Sequence, residues 1–305
     1  MGADPARTEP DTNAVPSPVV PMRPADVLRR ATRYLERHGV ESPRSSAEIL
    51  LMEVLGVDRA TVYARSEGLS SAEARTYGRA LCQRCAGTPL QHLTGHQPFR
   101  GIDLLVRPGV FVPRPETEVL VEAALAAIDR VDAPIVVDVG TGTGAVALAI
   151  ANERPGAVVH ATDRSRAAVE LAMENAGRLG LEVKVREGDL LGPLPGELRG
   201  SVDLFVSNPP YVEEADARAL PSDVLADPDD ALFGGTAVHR RLAAEAPAWL
   251  RPGGVLAVEI GEEQGPEVRS VFEAAAFLDV EVLPDLALRD RVVTGRMPAG
   301  GPRGG

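Results

Sequence analysis

Apolar positions along the chain change their period at two places, and the change divides it into parts. Between about residues 25 and 86 they recur at helical spacing. Val27, Leu28, Ala31, Tyr34 and Leu35 share one face of a first helix, which stops at Gly39. Ser45-Ser46-Ala47-Glu48 fits a capping box, in which the serine and the glutamate each satisfy the other's backbone amide. It opens the run Ile49-Leu50-Leu51-Met52, which Gly56 ends. Ser70-Ser71-Ala72-Glu73 repeats the signal at the head of a helix over 72–85. Residues 99–112 read as a pair of strands turning at Pro108-Gly109, and Pro113 to Glu118 opens a helix running to about Ile128. From Pro134 onward, short apolar runs alternate with helical stretches. Strands are expected at 135–139, 157–162, 182–186, 202–207, 254–260, 278–283 and 290–294. That alternation implies an α/β domain with a parallel, doubly wound sheet, and ligands at the carboxyl ends of its strands. The last two runs leave no room for a helix and should pair as an antiparallel hairpin.

A chain of 305 residues has room for one large domain and a smaller one. The expected division is a disordered extension over 1–23, a helical docking domain over 24–95 and a β-hairpin linker over 96–112. The α/β domain follows over 113–296, and a disordered tail over 297–305. A hydrophobic fraction of 44% and a charged fraction of 25% allow a sizeable core. No run approaches the roughly 20 apolar residues of a membrane span. The Pro- and Asp-containing N-terminus is no secretory signal, so a cytoplasmic location is expected. The net charge of −12 argues against a duplex nucleic-acid partner, and the aromatic content of 4% against a single-strand reader. Cys82 and Cys85, followed by His92 and His96, make a zinc or redox candidate on paper. The gap from Cys85 to His92 is short, no second pair exists, and i, i+3 neighbours arise trivially on a helix. No metal is expected.

Candidate chemistry lies in the α/β part. The strand Ile135-Val136-Val137-Asp138-Val139 runs into Gly140-Thr141-Gly142-Thr143-Gly144 and then a helix. Glycines let the backbone pass close to a ligand, and the helix start favours a negatively polarised group. Gly140-x-Gly142-x-x-Ala145 also satisfies a loose dinucleotide fingerprint, so an NAD enzyme stays open at this point. The next strand ends at Asp163, placed to accept both hydroxyls of a ribose, which NAD and S-adenosylmethionine share. Asp189 suits the amino group of an adenine, with Leu190 against the ring; a turn or helix cap is the plainer role for that aspartate.

Ser207-Asn208-Pro209-Pro210-Tyr211 decides between these chemistries. Two prolines remove two backbone donors and fix two φ angles, so the preceding carbonyls are not absorbed into helix or sheet. Asn208 then presents a side-chain oxygen beside the free Pro209 carbonyl. Two acceptors on a stiff frame match a planar NH2 group. Accepting both of its hydrogens would enrich a poorly nucleophilic amide nitrogen and orient it for methyl transfer. Tyr211 would pack against the flat group or donate to it. Read as bare sequence, Asn-Pro also initiates turns, and the function rests on its place beside the glycine loop.

With these motifs in hand, the chain resembles the HemK/PrmC family of protein-(glutamine-N5) methyltransferases, from about Pro24 to Arg296. The resemblance rests on Pro89-Leu-Gln-His-Leu-Thr-Gly95, Pro113-Arg-Pro-Glu-Thr-Glu118, the segment Asp138 to Gly144, Asn208-Pro-Pro-Tyr211, Val258-Glu-Ile-Gly261 and Arg289-Asp-Arg-Val-Val293. It implies a seven-stranded class I S-adenosylmethionine methyltransferase domain behind a helical domain that helps hold the substrate protein. It also implies S-adenosyl-L-methionine as cofactor and a class I peptide chain release factor as partner, methylated on the glutamine of its Gly-Gly-Gln motif. By resemblance, Gly140, Thr141, Gly142, Thr143, Gly144, Asp163, Leu190 and Asn208 contact the cofactor, with Asp189 at the adenine. Asn208, Pro209, Pro210 and Tyr211 hold the substrate amide; Asn208, Pro209 and Tyr211 carry the catalysis. Residues 114–118 would lie near both ligands. Asn-Pro-Pro-Tyr also occurs in nucleic-acid amino-group methyltransferases, so that activity is the alternative; a non-catalytic scaffold would not need the motif. The segment after Gly235 is shorter than the family's usual acidic stretch on the substrate side.

Overall fold

A computed structural model describes residues 22–219 and 224–300 of the chain. Most of the expected disordered extension and tail therefore lies outside the described residues. Met297, where the tail was expected to begin, is buried, and its N–H donates to the Gly254 carbonyl at 2.8 Å. The chain divides into two compact units between Ala86 and Gly87.

The first unit is helical: α1 (Pro24–Arg37), α2 (Pro43–Leu55), α3 (Arg59–Ala64) and α4 (Ser71–Cys85). Leu28, Ala31 and Leu35 of α1 and Leu50 and Leu51 of α2 are buried as their spacing requires, whereas Tyr34 stays exposed. The capping box expected at Ser70 is present, with Ser70 Oγ accepting from the Glu73 N–H and the Glu73 carboxylate from the Ser70 N–H. The one expected at Ser45 is not. Pro43 starts α2 three residues earlier, with Ser42 at the N-cap, because proline is pre-set for a first helical position where no amide partner is needed. Glu48 is then buried inside the helix, where it accepts from the Tyr63 hydroxyl and pairs with Arg59 at 2.9 Å.

The second unit begins with α5 (Leu90–Thr94) and a hairpin of β1 (His96–Phe99) and β2 (Ile102–Leu105). The hairpin turns at Arg100-Gly101, with φ of 42° and 76°, and not at Pro108-Gly109. Two successive left-handed residues give a two-residue turn the twist its strands need. The hairpin was expected to link two domains. Phe99, Ile102 and Leu104 instead enter the same core as the large sheet.

That sheet comprises β3 (Ile135–Val139), β4 (Val158–Asp163), β5 (Val183–Glu187), β6 (Val202–Ser207), β7 (Leu250–Glu259), β8 (Leu278–Pro284) and β9 (Asp290–Arg296). Its order is β5-β4-β3-β6-β7-β9-β8, with β9 antiparallel to both neighbours and the other pairs parallel. The strands were expected within a residue or two, except that β7 begins at Leu250. A parallel strand between two helical layers buries both faces, hence the continuous apolar runs. Val136, Leu204 and Val206 face α6 (Thr117–Ile128) and α7 (Ala145–Glu153), with α8 (Arg166–Leu179) beside them. Val137, Val139, Phe205 and Val258 face α10 (Ala237–Glu245) and α11 (Gly265–Ala274). A short α9 (Asp229–Leu232) precedes α10. The strand order reverses between β3 and β6, so their carboxyl ends open a crevice. Among the described residues, no helix is long and apolar enough to cross a membrane.

Candidate active site

The crevice is a cavity of about 470 Å³, a size suited to a nucleoside-sized ligand. The loop after β3 forms its floor and is pinned to the next strand. Gly140 and Thr141 N–H both donate to the Thr162 carbonyl, at 2.8 and 3.0 Å, and Gly142 N–H donates to Asp163 Oδ2 at 2.9 Å. Asp163 Oδ1 accepts from the Ser165 N–H at 2.8 Å. Each carboxylate oxygen keeps a lone pair for a ligand hydroxyl. Burial raises the Asp163 pKa, and the Ser165 and Gly142 amides oppose the rise.

Gly140, Thr141, Gly142 and Thr143 line the cavity, as do Asp163, Asp189 and Leu190. Gly144, expected among the ligand contacts, does not. It caps α7 at φ 86°, and a Cβ there would meet Leu148 Cδ1 at 2.9 Å and Ala172 Cβ at 3.3 Å. Its glycine serves the packing of helix on helix. Thr143 is 1% exposed and its Oγ1 has no hydrogen-bond partner, a buried polar atom that a polar ligand in the cavity would satisfy. Asp189 sits at the rim, where Arg241 Nη2 binds its Oδ2 at 2.7 Å.

The opposite wall is the turn after β6. Asn208, Pro209, Pro210 and Tyr211 all line the cavity. Asn208 Nδ2 donates to Thr117 Oγ1 at 3.1 Å, which leaves Oδ1 as the free end. Asn208 Oδ1 and the Pro209 carbonyl have no partner among the described residues, and both residues line the cavity. Tyr211 was open to two roles. Its hydroxyl donates to Glu259 Oε1 at 3.3 Å, so its hydrogen is committed there and the ring is free to pack against a substrate. Burial, and then the Glu259 charge, raise the tyrosine pKa.

Several residues of this site were not expected from sequence. Asp138 is buried in mid-sheet, where Oδ2 accepts from Thr141 Oγ1 at 2.7 Å and the Ala147 N–H at 3.2 Å, shaping the loop from within. Burial pushes its pKa up to about 7. Asp227, 4% exposed, accepts from the Val112 N–H at 3.0 Å and pairs with Arg114, tying down the segment before α6. Burial raises its pKa while Arg114 opposes. Arg241 and Glu259 complete the set, whereas Thr117 falls within the expected 114–118. For Asp138 and Glu259 a signal existed, a lone carboxylate in an apolar strand; for Asp227 and Arg241 none did. Cys82 is exposed and Cys85 half-buried, and among the described residues no group of three or more His, Cys, Asp or Glu could hold a metal.

Comparison with known proteins places this geometry. A family model described as "PrmC N-terminal domain" matches residues 26–95, and one described as "Methyltransferase small domain" matches 102–282. A Moorella thermoacetica protein named release factor glutamine methyltransferase is 45% identical over 271 residues, covering 87% of this chain and 95% of that one. A Deinococcus radiodurans protein of the same name is 43% identical over 284 residues, covering 92% and 100%. Among solved structures, a T. thermophilus 16S rRNA N2 G1207 methyltransferase in complex with AdoMet and guanosine has a TM-score of 0.50 at 23% identity. The match covers 66% of this chain and 49% of that one, a likeness of fold alone.

Proposed function

Since this chain belongs to the family of release factor glutamine methyltransferases, we propose that its cavity methylates the side-chain amide of a protein glutamine. The cofactor is S-adenosyl-L-methionine, and the substrate is a peptide chain release factor, methylated at the glutamine of its Gly-Gly-Gln motif. When bound, the cofactor supplies a methyl group on a sulfonium, already activated for transfer. Asp163 offers acceptors to the ribose diol, the amides of residues 140–143 line the same cavity, and the orphaned Thr143 hydroxyl offers a further polar contact. Asp189 and Leu190 are assigned to the adenine, with the Asp189 carboxylate shared between the ring's amino group and Arg241.

The observation that carries the reading is the pair of unpaired acceptors, Asn208 Oδ1 and the Pro209 carbonyl. A glutamine amide donates one N–H to each. Its nitrogen lone pair, delocalised in the free amide, gains density as both hydrogens are drawn off, and the plane of the group is fixed for in-line attack. The Tyr211 ring backs that plane while its hydroxyl stays bound to Glu259. Pro210 is held from behind by Gly234, where a Cβ would meet the Pro210 carbonyl oxygen at 2.5 Å. Once methylated, the nitrogen is acidic enough to lose a proton to water, so no strong base is needed.

The test is to incubate the protein with methyl-labelled S-adenosylmethionine and purified class I release factors, then locate the label by mass spectrometry. Label on the Gly-Gly-Gln glutamine is the expected result. Label that enters adenine or guanine of added nucleic acid and not the release factor would overturn it.

A further inference from the structure

The amide-binding reading above depends on which end of the Asn208 carboxamide faces the cavity. Rotated by half a turn, the group has nearly the same shape but offers N–H donors to a substrate that also brings N–H donors. Packing alone discriminates poorly between the two; hydrogen bonding must choose. Asn208 Nδ2 is held by Thr117 Oγ1 at 3.1 Å, across 91 residues of sequence. Thr117 is the first residue of α6 and is 2% exposed. A hydroxyl accepts in a defined direction only when its own hydrogen is committed elsewhere. Beside it lies Glu259, at the end of β7, 1% exposed. Glu259 Oε1 accepts from Tyr211, while Oε2 is buried with no hydrogen-bond partner. An ionised carboxylate can only accept, and Oε2 is left as an acceptor open to the hydroxyl of Thr117, which lies close enough to favour the Glu259 charge.

We propose that Thr117 and Glu259 are positioning residues, a buried relay that turns the Asn208 carboxamide oxygen toward the substrate amide. Donation then runs from Asn208 to Thr117 and from Thr117 to Glu259. This gives a role to Val258-Glu259-Ile260-Gly261 and to the threonine of Pro113-Arg-Pro-Glu-Thr-Glu118, motifs the methyl-transfer reading leaves without one. Glu259 is served from every side. Tyr211 from the turn after β6 and Arg291 from β9 favour its charge, and Glu116 at the start of α6 opposes it. Arg291 is itself held by Asp285 at 3.1 Å, and His239 of α10 binds the Glu259 backbone carbonyl at 2.8 Å. Burial is the largest influence and lifts the carboxyl pKa to about 7, with the Thr117 hydroxyl pulling against it. A protonated Glu259 could donate to Thr117 instead, which would free the threonine hydrogen for Asn208 Oδ1 and reverse the carboxamide. The relay therefore works on the alkaline side of the Glu259 titration.

Three variants test the assignment in the full chain. Thr117→Val keeps the shape and removes the hydroxyl, Thr117→Ser keeps the hydroxyl, and Glu259→Gln removes the acceptor-only character. Thr117→Val should lower kcat about tenfold or more, with KM for the release factor and cofactor affinity within about twofold of wild type. Thr117→Ser should recover most of that loss. Glu259→Gln should lower kcat and abolish an acid limb in kcat that wild type shows. A second readout needs no turnover. The Asn208 NH2 cross-peak in an amide-nitrogen spectrum, assigned by its loss in Asn208→Ala, should move with pH in wild type and Thr117→Ser but not in Thr117→Val. If wild type failed to methylate release factors, the reaction reading would fall while this spectroscopic result still decided the relay. Thr117→Val with wild-type kcat, Thr117→Ser as impaired as Thr117→Val, or an Asn208 signal indifferent to both residues would each overturn the proposal.

Discussion

Replacing Asn208 by alanine removes one of the two acceptors and leaves the Pro209 carbonyl in place, since the Pro-Pro frame does not depend on the side chain. The amide would keep one hydrogen bond and rotate about it. The cost falls mainly on the transition state, where the nitrogen becomes positive and its hydrogens more acidic. A neutral hydrogen bond contributes about 0.5–1.5 kcal/mol net and one to a charged group about 1.5–3 kcal/mol. Asn208 is also preorganised: Nδ2 is bound to Thr117 at 3.1 Å, and no described donor competes for Oδ1. Removing a preorganised group of this kind costs about 2.7–4 kcal/mol, a drop in kcat of roughly 10²–10³. Ground-state binding should change much less, so KM for the release factor should stay within a few-fold. The fold loses one hydrogen bond to Thr117, about 1 kcal/mol, which a thermal melt would register as a small shift. The assay is single-turnover methylation of a release factor with labelled cofactor, with calorimetric cofactor binding as the control. Asn208→Asp sharpens it, because the substrate keeps an acceptor and Thr117 can rotate to donate. Its extra charge lies close to buried Glu259. If Asn208→Ala melts and binds cofactor like wild type and turns over within about threefold of it, the two-acceptor mechanism is wrong.

Other outcomes follow from the same geometry. Asp163→Ala should weaken S-adenosylmethionine binding by about 1.5–3 kcal/mol, measured by calorimetry, with Asp163→Asn intermediate because it keeps one acceptor oxygen; unchanged affinity would remove Asp163 from the cofactor site. Gly144→Ala combines a φ of 86° with a 2.9 Å approach to Leu148 Cδ1 and should lower stability by about 1–3 kcal/mol in a denaturant titration; a neutral effect would mean that α7 and α8 can separate at no cost. Stability should also depend on pH through Asp138 and Glu259, both lifted to about 7 by burial. Between their unfolded and folded pKa values the folded state holds the extra proton. The contribution of these two groups is therefore greatest in acid, falls as pH rises toward 7 and levels off above it. From pH 6 to 8 Glu259 alone should cost about 1 kcal/mol, so Glu259→Gln should show a shallower decline than wild type; equal slopes would contradict its buried titration.

Much of this protein was legible from the order of its residues. β3, β4, β5 and β6 could be read because strands buried on both faces need unbroken apolar runs. The hairpin of β8 and β9 could be read because the gap between them is too short for a crossover helix. The Pro209 carbonyl could be read as standing outside helix and sheet because proline removes donors by covalent structure, wherever it sits. Local rules failed where two of them competed. Ser45-x-x-Glu48 is as good a capping box on paper as Ser70-x-x-Glu73, but Pro43 started the helix first. Pro108-Gly109 is the stronger turn signal, yet the strands paired around Arg100-Gly101 because the core took Phe99, Ile102 and Leu104 together. The partners of the site were decided only by the tertiary fold. Asp227 reaches the Val112 amide across 115 residues, Arg241 reaches Asp189 across 52, and Thr117 reaches Asn208 across 91. No spacing rule covers such pairs, because a side chain's hydrogen-bond partner is set by where whole strands and helices are packed. The chemistry of the cavity was thus written in single residues, and the direction in which each one points was left to the core that holds them.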